Sequence, residues 1–291
     1  MFRVRLSLLL LSLSVFPVSQ SHAADVLYPG DRPFTLVVPT TYQSGTPAPL
    51  LIALHGYTAE APYADSYFAL GKVAEEKGIL AVYPSGSKDS NGFLYWNATP
   101  ACCNFDSTTV DDEAYLLNII DSVSKEYSVD PTRVYIVGHS NGGFMAHHMA
   151  CKQSDRIAAI VSLAGSTYSN TRSCKPTSPV SVLQIHGSKD AVISYTGGYL
   201  FGNAYPSARK TIDIWGKLNE CGKKPARVLP RLDLDRKLPG TETTVLRYKG
   251  CKAGTTSELW TINEGAHSPE LSDTFADNIV NFLLTHPKKS A

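Results

Sequence analysis

Val134-Tyr135-Ile136-Val137-Gly138-His139-Ser140-Asn141-Gly142-Gly143 is the stretch that decides how this 291-residue chain reads. It begins as a β-branched and aromatic run, passes through Gly-x-Ser-x-Gly, and continues into residues 144–150, which read as a helix. A serine hydroxyl is a poor nucleophile until a base takes its proton and a turn holds it clear of the backbone. Without a Cβ at Gly138 and Gly142, strand and helix can close tightly around Ser140. Ser140 is then expected at the carboxyl end of a strand. The Asn141 N–H, at the start of the helix, would face a developing oxyanion. The pentapeptide also arises by chance, so its meaning depends on its partners.

Those partners should follow in the order Ser, then Asp or Glu, then His. Of the histidines after Ser140, His147 and His148 fall on the expected helix and read as packing or surface residues. His186 closes the apolar run 180–185 and precedes Gly187-Ser188-Lys189-Asp190, a strand ending in a turn with a carboxylate just beyond. His267 follows the strand-like run 258–262. Asp190 and His267 are therefore expected on the same sheet edge as Ser140, where open α/β sheets bind ligands. His267 would take the serine proton near neutral pH, and Asp190 would fix its tautomer. The rival acids Asp213, Asp233, Asp235 and Glu242 lack a comparable strand–turn signal.

A second oxyanion donor should come from the loop after the apolar strand 50–54. That strand runs into His55-Gly56-Tyr57-Thr58. Tyr57 is favoured over Thr58 as the N–H donor. His55 reads as a brace for the loop, with a role as ligand or base as its rival.

The first residues read as a signal peptide: Arg3 and Arg5, an apolar core at 6–16, and the small-x-small site Ser21-His22-Ala23. The expected organisation is residues 1–23 as signal peptide and 24–291 as one catalytic domain, secreted or periplasmic. The apolar core is too short for a stable membrane anchor. A net charge of +1 offers no electrostatic argument for nucleic acid or anionic membranes. Six cysteines in an exported chain point to disulfides. The expected pairs are Cys151 with Cys174 and Cys221 with Cys251, with Cys102 and Cys103 either bonded to each other or each paired elsewhere. No C-x-x-C pattern or neighbouring histidine supports a metal or redox role for that adjacent pair.

Apolar strands alternate with helical stretches. Strands are expected at 34–38, 50–54, 79–83, 134–138, 157–163, 180–185, 243–248 and 257–262. Helices are expected at 67–77, 111–127, 208–218 and 273–284. Such alternation implies a mostly parallel sheet with helices on both faces, its first strands adding an antiparallel edge. Two long loops, 85–110 and 195–206, are rich in aromatic residues. Trp96 and Tyr199 are expected to border the cleft as a platform for a sugar or aryl ring, the alternative being that such rings seal the core. Neither loop reads as a large amphipathic lid.

The set His55-Gly56, Tyr95-Trp96-Asn97, Cys102-Cys103, Val110-Asp111-Asp112, the elbow at 138–143, His186-Gly187-x-x-Asp190 and Gly265-x-His267 resembles secreted esterases of the polyhydroxybutyrate depolymerase and bacterial feruloyl esterase group. The resemblance runs from about residue 34 onward. It implies an α/β-hydrolase fold, no cofactor and no metal, and Ser140, Asp190 and His267 as the catalytic triad. The chain departs from many depolymerase relatives at Tyr57, where they carry cysteine, and at His267-Ser268-Pro269, where they carry His-x-Trp-Pro. Those departures bear on the leaving-group pocket. The expected function is a monomeric serine esterase for feruloyl or acetyl esters of plant-wall polysaccharide. The alternatives are a depolymerase of short aliphatic polyesters and a non-catalytic binding protein on the same scaffold.

Overall fold

The computed structural model describes residues 24–289, so the expected signal peptide at 1–23 lies outside the described residues. In chain order the elements are β1 (Ala24–Tyr28), β2 (Phe34–Val38), β3 (Ala48–Leu54), α1 (Ala61–Phe68), α2 (Leu70–Lys77), β4 (Leu80–Pro84), β5 (Ser87–Lys88) and β6 (Leu94–Tyr95). They continue with α3 (Asp112–Glu126), β7 (Val129–His139), α4 (Asn141–Lys152), β8 (Ala159–Leu163), β9 (Ser181–Gly187), β10 (Gly198–Leu200) and β11 (Asn203–Tyr205). The last are α5 (Ala208–Leu218), β12 (Ala226–Leu232), β13 (Thr243–Tyr248), β14 (Ser257–Ile262) and α6 (Phe275–Leu284).

Ten strands form one sheet in the order β1-β2-β4-β3-β7-β8-β9-β14-β13-β12. The six central strands, β4 to β14 in that order, run parallel, and the pairs at both ends are antiparallel. Strands β3, β4, β8, β9 and β14 are buried along their whole length. A strand covered on both faces reads as a continuous apolar run, which is what residues 50–54 and 180–185 show.

Side-chain alternation splits the core into two layers. Leu50, Ile52, Leu54 and Ile136 face one side, where Ile119 of α3 and Phe144 and Met149 of α4 cover them. Leu51, Ala53, Tyr135 and Val137 face the other, beneath Phe68 of α1, Val73 of α2 and Ile279 of α6. This is the α/β-hydrolase arrangement, with helices on both faces and no large lid among the described residues.

Three expectations need correction. The helix expected at 67–77 is two helices, because Ala69 adopts a left-handed conformation (φ 53°) that ends α1 and starts α2. The strand β12 was not read at all. It lies at the sheet edge, mostly exposed, so it lacks an apolar pattern, and an edge strand tolerates Pro230. The antiparallel border therefore exists at both ends of the sheet, not only at the first strands.

Cys151–Cys174 and Cys221–Cys251 are bonded as expected, and Cys102 is bonded to Cys103.

Candidate active site

The elbow forms where β7 meets α4. Ser140 takes φ 54° and ψ −116°, outside both strand and helix geometry, so its side chain leaves the turn rather than either element. Its N–H donates to Leu163 O of β8 at 2.8 Å, which ties the turn to the neighbouring strand. Gly142 permits the close approach: a Cβ there would stand 2.4 Å from Leu54 O at the end of β3.

Beyond β9 and β14, two loops converge on this turn. A Cβ on Gly187 would lie 2.3 Å from Ala266 O, so only glycine lets the end of β9 press against the loop carrying His267. That contact sets Asp190 beside His267. His267 Nδ1–H donates to Asp190 Oδ2 at 2.8 Å, and Ser140 Oγ–H donates to His267 Nε2 at 2.9 Å. Ser140 is 9% exposed, whereas the Asp190 side chain is fully buried.

Asp190 is held by three donors. Its Oδ1 accepts from the N–H groups of Val192 and Ile193, both at 2.8 Å. Its Oδ2 accepts from His267, and His186 Nε2, whose N–H donates to Ile193 O at 2.8 Å, lies 3.2 Å from it. Burial pushes the carboxyl up, but the facing His186 and His267 outweigh it and hold Asp190 well below the usual carboxylate range. It stays ionised beside His267. Two rival acids are engaged elsewhere: Asp213 accepts from Arg209 and Tyr248, and Glu242 from the Leu234 N–H and Thr243.

The His186 contact continues inward as a chain that sequence reading missed. Trp215 Nε1–H donates to His147 Nδ1 at 3.0 Å, and His147 Nε2–H donates to Gln184 Oε1 at 2.9 Å. Gln184 Nε2–H donates to His186 Nδ1 at 3.1 Å. The chain ends with His186 Nε2–H on Ile193 O in the turn that carries Asp190, which assigns His147 and His186 their Nε2–H tautomers. All four side chains are buried. His147 is held down to about 4 by burial, although its bond to Gln184 opposes the shift. The one signal in the sequence was the position of His186 and Gln184 on alternate residues of an otherwise apolar strand.

On the other flank, His55 braces its loop. Its Nδ1–H donates to Gly56 O at 2.7 Å, and its Nε2 accepts from the Gly86 N–H at 2.9 Å. Burial, reinforced by the Arg32 charge, pulls His55 down to about 4, so it is neutral and leaves no lone pair for a ligand. In the loop that follows, the Thr58 N–H is spent on Leu94 O at 2.9 Å. The backbone N–H groups of Tyr57 and Asn141 have no acceptor among the described residues. His139, also buried, donates from Nε2 to His267 O at 3.1 Å, its ring centred 5.1 Å from that of His267 and tilted 42° to it.

Trp96 corrects an expectation. It does not border a cleft; it is 0% exposed. Its indole N–H donates to His55 O at 3.0 Å, and its backbone N–H and C=O bond both ends of the Asn141 amide, at 2.7 and 2.9 Å. A buried indole requires an acceptor for its N–H, and the carbonyl before Gly56 provides it. Asn141 therefore clamps the aromatic loop to the elbow. Tyr199 lies on the β10–β11 hairpin, 76% exposed.

Relatives cluster on both sides of the expected resemblance. Feruloyl esterase B of Piromyces equi is 29% identical over 238 residues, which cover 79% of this chain and 41% of that protein. Poly(3-hydroxyalkanoate) depolymerase C of Paucimonas lemoignei is 33% identical over 148 residues, covering 48% of this chain and 33% of that protein. The chain thus spans less than half the length of either relative. Among solved structures, an acetyl xylan esterase from Aspergillus awamori matches with a TM-score of 0.62 at 17% identity, over 90% of this chain and 99% of that one. At that identity the likeness is one of fold. The segment from residue 40 to residue 214, holding the loop after β3, the elbow and Asp190, matches the model of the phospholipase/carboxylesterase family, and the chain belongs to that family.

Proposed function

We propose that the protein is an exported serine carboxylesterase acting on hydroxycinnamoyl or acetyl esters of plant-wall polysaccharide. The observation that carries this reading is the unbroken line of donors from His267 to Asp190 and from Ser140 to His267, at 2.8 and 2.9 Å. In that arrangement Ser140 Oγ attacks the ester carbonyl as its proton passes to His267 Nε2. The Tyr57 and Asn141 N–H groups, free of other acceptors, receive the oxyanion. Collapse of the tetrahedral intermediate expels the alcohol, which takes the proton from His267. Water then adds to the acyl-enzyme with His267 as base and releases the acid.

The names of the relatives support the substrate class, feruloyl esterase B first among them. Export fits the cysteines, all of which are disulfide-bonded, and no described helix is long and apolar enough to cross a membrane. The 33% identity to a poly(3-hydroxyalkanoate) depolymerase favours a second reading, in which the ester is an aliphatic polyester.

A panel of methyl ferulate, acetylated xylan, p-nitrophenyl butyrate and hydroxybutyrate oligomers, assayed on wild type and Ser140→Ala, tests both readings. Wild type is expected to turn over the plant-wall esters best. Ser140→Ala should lose on the order of 10⁴-fold or more while remaining folded. Ordinary turnover by Ser140→Ala would sink the serine mechanism, and preference for the hydroxybutyrate oligomers would shift the substrate to the second reading.

A further inference from the structure

A second set of aromatic rings runs from the edge of the core to the surface, with Tyr57 and Phe105 half-buried against the core. Phe201 is 77% exposed at the tip of the β10–β11 hairpin, and its ring lies over Phe105 with centroids 4.1 Å apart. Phe105 meets Tyr57 edge-on at 5.4 Å, and Tyr57 meets Phe93, itself 47% exposed, edge-on at 6.2 Å. These four rings come from three separate segments and form one continuous row. Scattered exposed aromatics need no explanation, but a contiguous row does.

The hairpin strengthens the point. Phe201 (φ 46°) and Gly202 (φ 80°) both sit in the left-handed region at its turn. Asn or Gly suits the first of these positions, and a bulky side chain is sterically disfavoured there. At Tyr57 the backbone under the row passes the proposed nucleophile: a Cβ on the preceding Gly56 would lie 3.5 Å from Ser140 Cβ.

Carboxylates border the rings. Tyr57 Oη–H donates to Asp89 Oδ2 at 2.5 Å, and the exposed Asp106 accepts from the Ser90 N–H at 2.6 Å. Apolar faces beside carboxylate acceptors match a sugar ring, which offers a C–H face and hydroxyl donors at its edge. The row is open and several rings long, whereas a pocket for one hydroxycinnamoyl group would enclose it. A polyester chain is long enough but has no hydroxyl donors along its length to offer Asp89 and Asp106.

We propose that the row Tyr57–Phe105–Phe201, with Phe93, is the docking surface for the sugar rings of a neutral polysaccharide whose ester reaches Ser140. The proposal rests on the carboxylesterase reading for its link to catalysis, but binding can be measured without turnover. The test compares wild type with Phe201→Ala and Phe93→Ala, both exposed and neither in contact with Ser140, Asp190 or His267. Calorimetric titration with xylohexaose, which carries no ester, should show binding to wild type and roughly tenfold weaker binding to Phe201→Ala at unchanged melting temperature. The kcat/KM for acetylated xylo-oligosaccharide should fall by a similar factor, and that for p-nitrophenyl acetate should stay within about twofold, because remote contacts serve only a substrate that reaches them.

No binding of xylohexaose to wild type, or equal binding to wild type and to the Phe93→Ala/Phe201→Ala double variant, overturns the proposal. So does a loss confined to methyl ferulate, which would give the row to the acyl group, or one confined to hydroxybutyrate hexamer, which would give it to a polyester. Ring-dependent xylohexaose binding without turnover of any ester by wild type would retain the docking surface and remove the esterase reading alone.

Discussion

Phe93 and Trp96 stand three residues apart in one loop and end in opposite environments. Trp96 is wholly buried, its indole on the His55 carbonyl and its backbone held by the Asn141 amide. Phe93 is half exposed, its ring edge-on to Tyr57. Alternation along β6 between them does not explain the difference, because Tyr95, on the face of Phe93, is as buried as Trp96. The inward group, with the chain from Trp215 through His186 to the Asp190 turn, forms a frame of buried hydrogen bonds. The outward group is a rim in which Tyr57 and Phe105 rest on the core while Phe93 and Phe201 reach into solvent. A frame of buried, mutually satisfied groups fixes geometry, because displacing one member strands the others without partners. A rim of exposed rings leaves apolar surface available to bind.

The comparison breaks most readily at the proposed reacting groups. His267→Ala should cost on the order of 10⁴-fold or more in kcat/KM on every ester, and Asp190→Asn less, because misorienting a base is milder than deleting it. Equal rates for Asp190→Asn and wild type would remove Asp190 and the chain behind it from the mechanism.

Trp96→Ala should lower stability by about 3–5 kcal/mol and depress activity on small and polymeric esters alike. Denaturant titration checks the first and paired kinetics the second. A loss restricted to polymeric esters, with stability retained, would move Trp96 from the frame to the rim.

The bridge between buried Cys151 and Cys174 joins α4 to the segment after β8 and should contribute roughly 2–4 kcal/mol. Replacing both cysteines by alanine and measuring the midpoint tests this. An unchanged midpoint would mean that the frame holds α4 without the cross-link.

His186 Nε2 lies 3.2 Å from Asp190 Oδ2 and its N–H donates to Ile193 O at 2.8 Å, so it holds the turn that carries the carboxylate. His186→Leu should lower stability by about 1–3 kcal/mol, because the Ile193 carbonyl and the Gln184 amide lose their partner. It should also lower kcat/KM on every ester by roughly tenfold, through a less firmly placed Asp190. A change in stability with kcat/KM unmoved would make His186 structural only.

Stability should also depend on pH. Burial holds His55, His139 and His147 down to about 4, below the ordinary value of 6.5. Between those pH values the unfolded chain takes up protons that the fold refuses. The stabilisation is therefore complete above 6.5 and is lost as pH falls toward 4. Each histidine contributes a slope of up to about 1.4 kcal/mol per pH unit. Denaturant midpoints at pH 7, 6 and 5 should decline in step, and a flat series would show that the frame accepts these protons while folded.

Much of this was legible in the sequence because it depends on near neighbours. The strands β13 and β14 and the helix α5 fall at the residues expected, since period-two and 3.6-residue patterns are properties of the segment itself. The elbow at Ser140 is a matter of turn chemistry. The positions of Asp190 and His267 after strands placed both on one sheet edge, because successive parallel strands must present their carboxyl ends together. Edge strand β12 was not legible, since exposure on both sides leaves no pattern to read.

The environments of the aromatic rings were decided only by tertiary structure. Composition put aromatics in the loops but did not say which would be covered. Trp96 is inside because the Asn141 amide, 45 residues away, bonds both its N–H and its C=O. Phe201 is outside because a hairpin turn projects it onto Phe105 from a distant segment. The chain from Trp215 to the Asp190 turn likewise exists only because side chains of α5 and α4 meet Gln184 and His186 of β9. Periodicity and turn preference are short-range and survive in the bare sequence. Burial and hydrogen-bond partnership are pairwise properties of residues far apart in the chain, and only the folded backbone brings those pairs together.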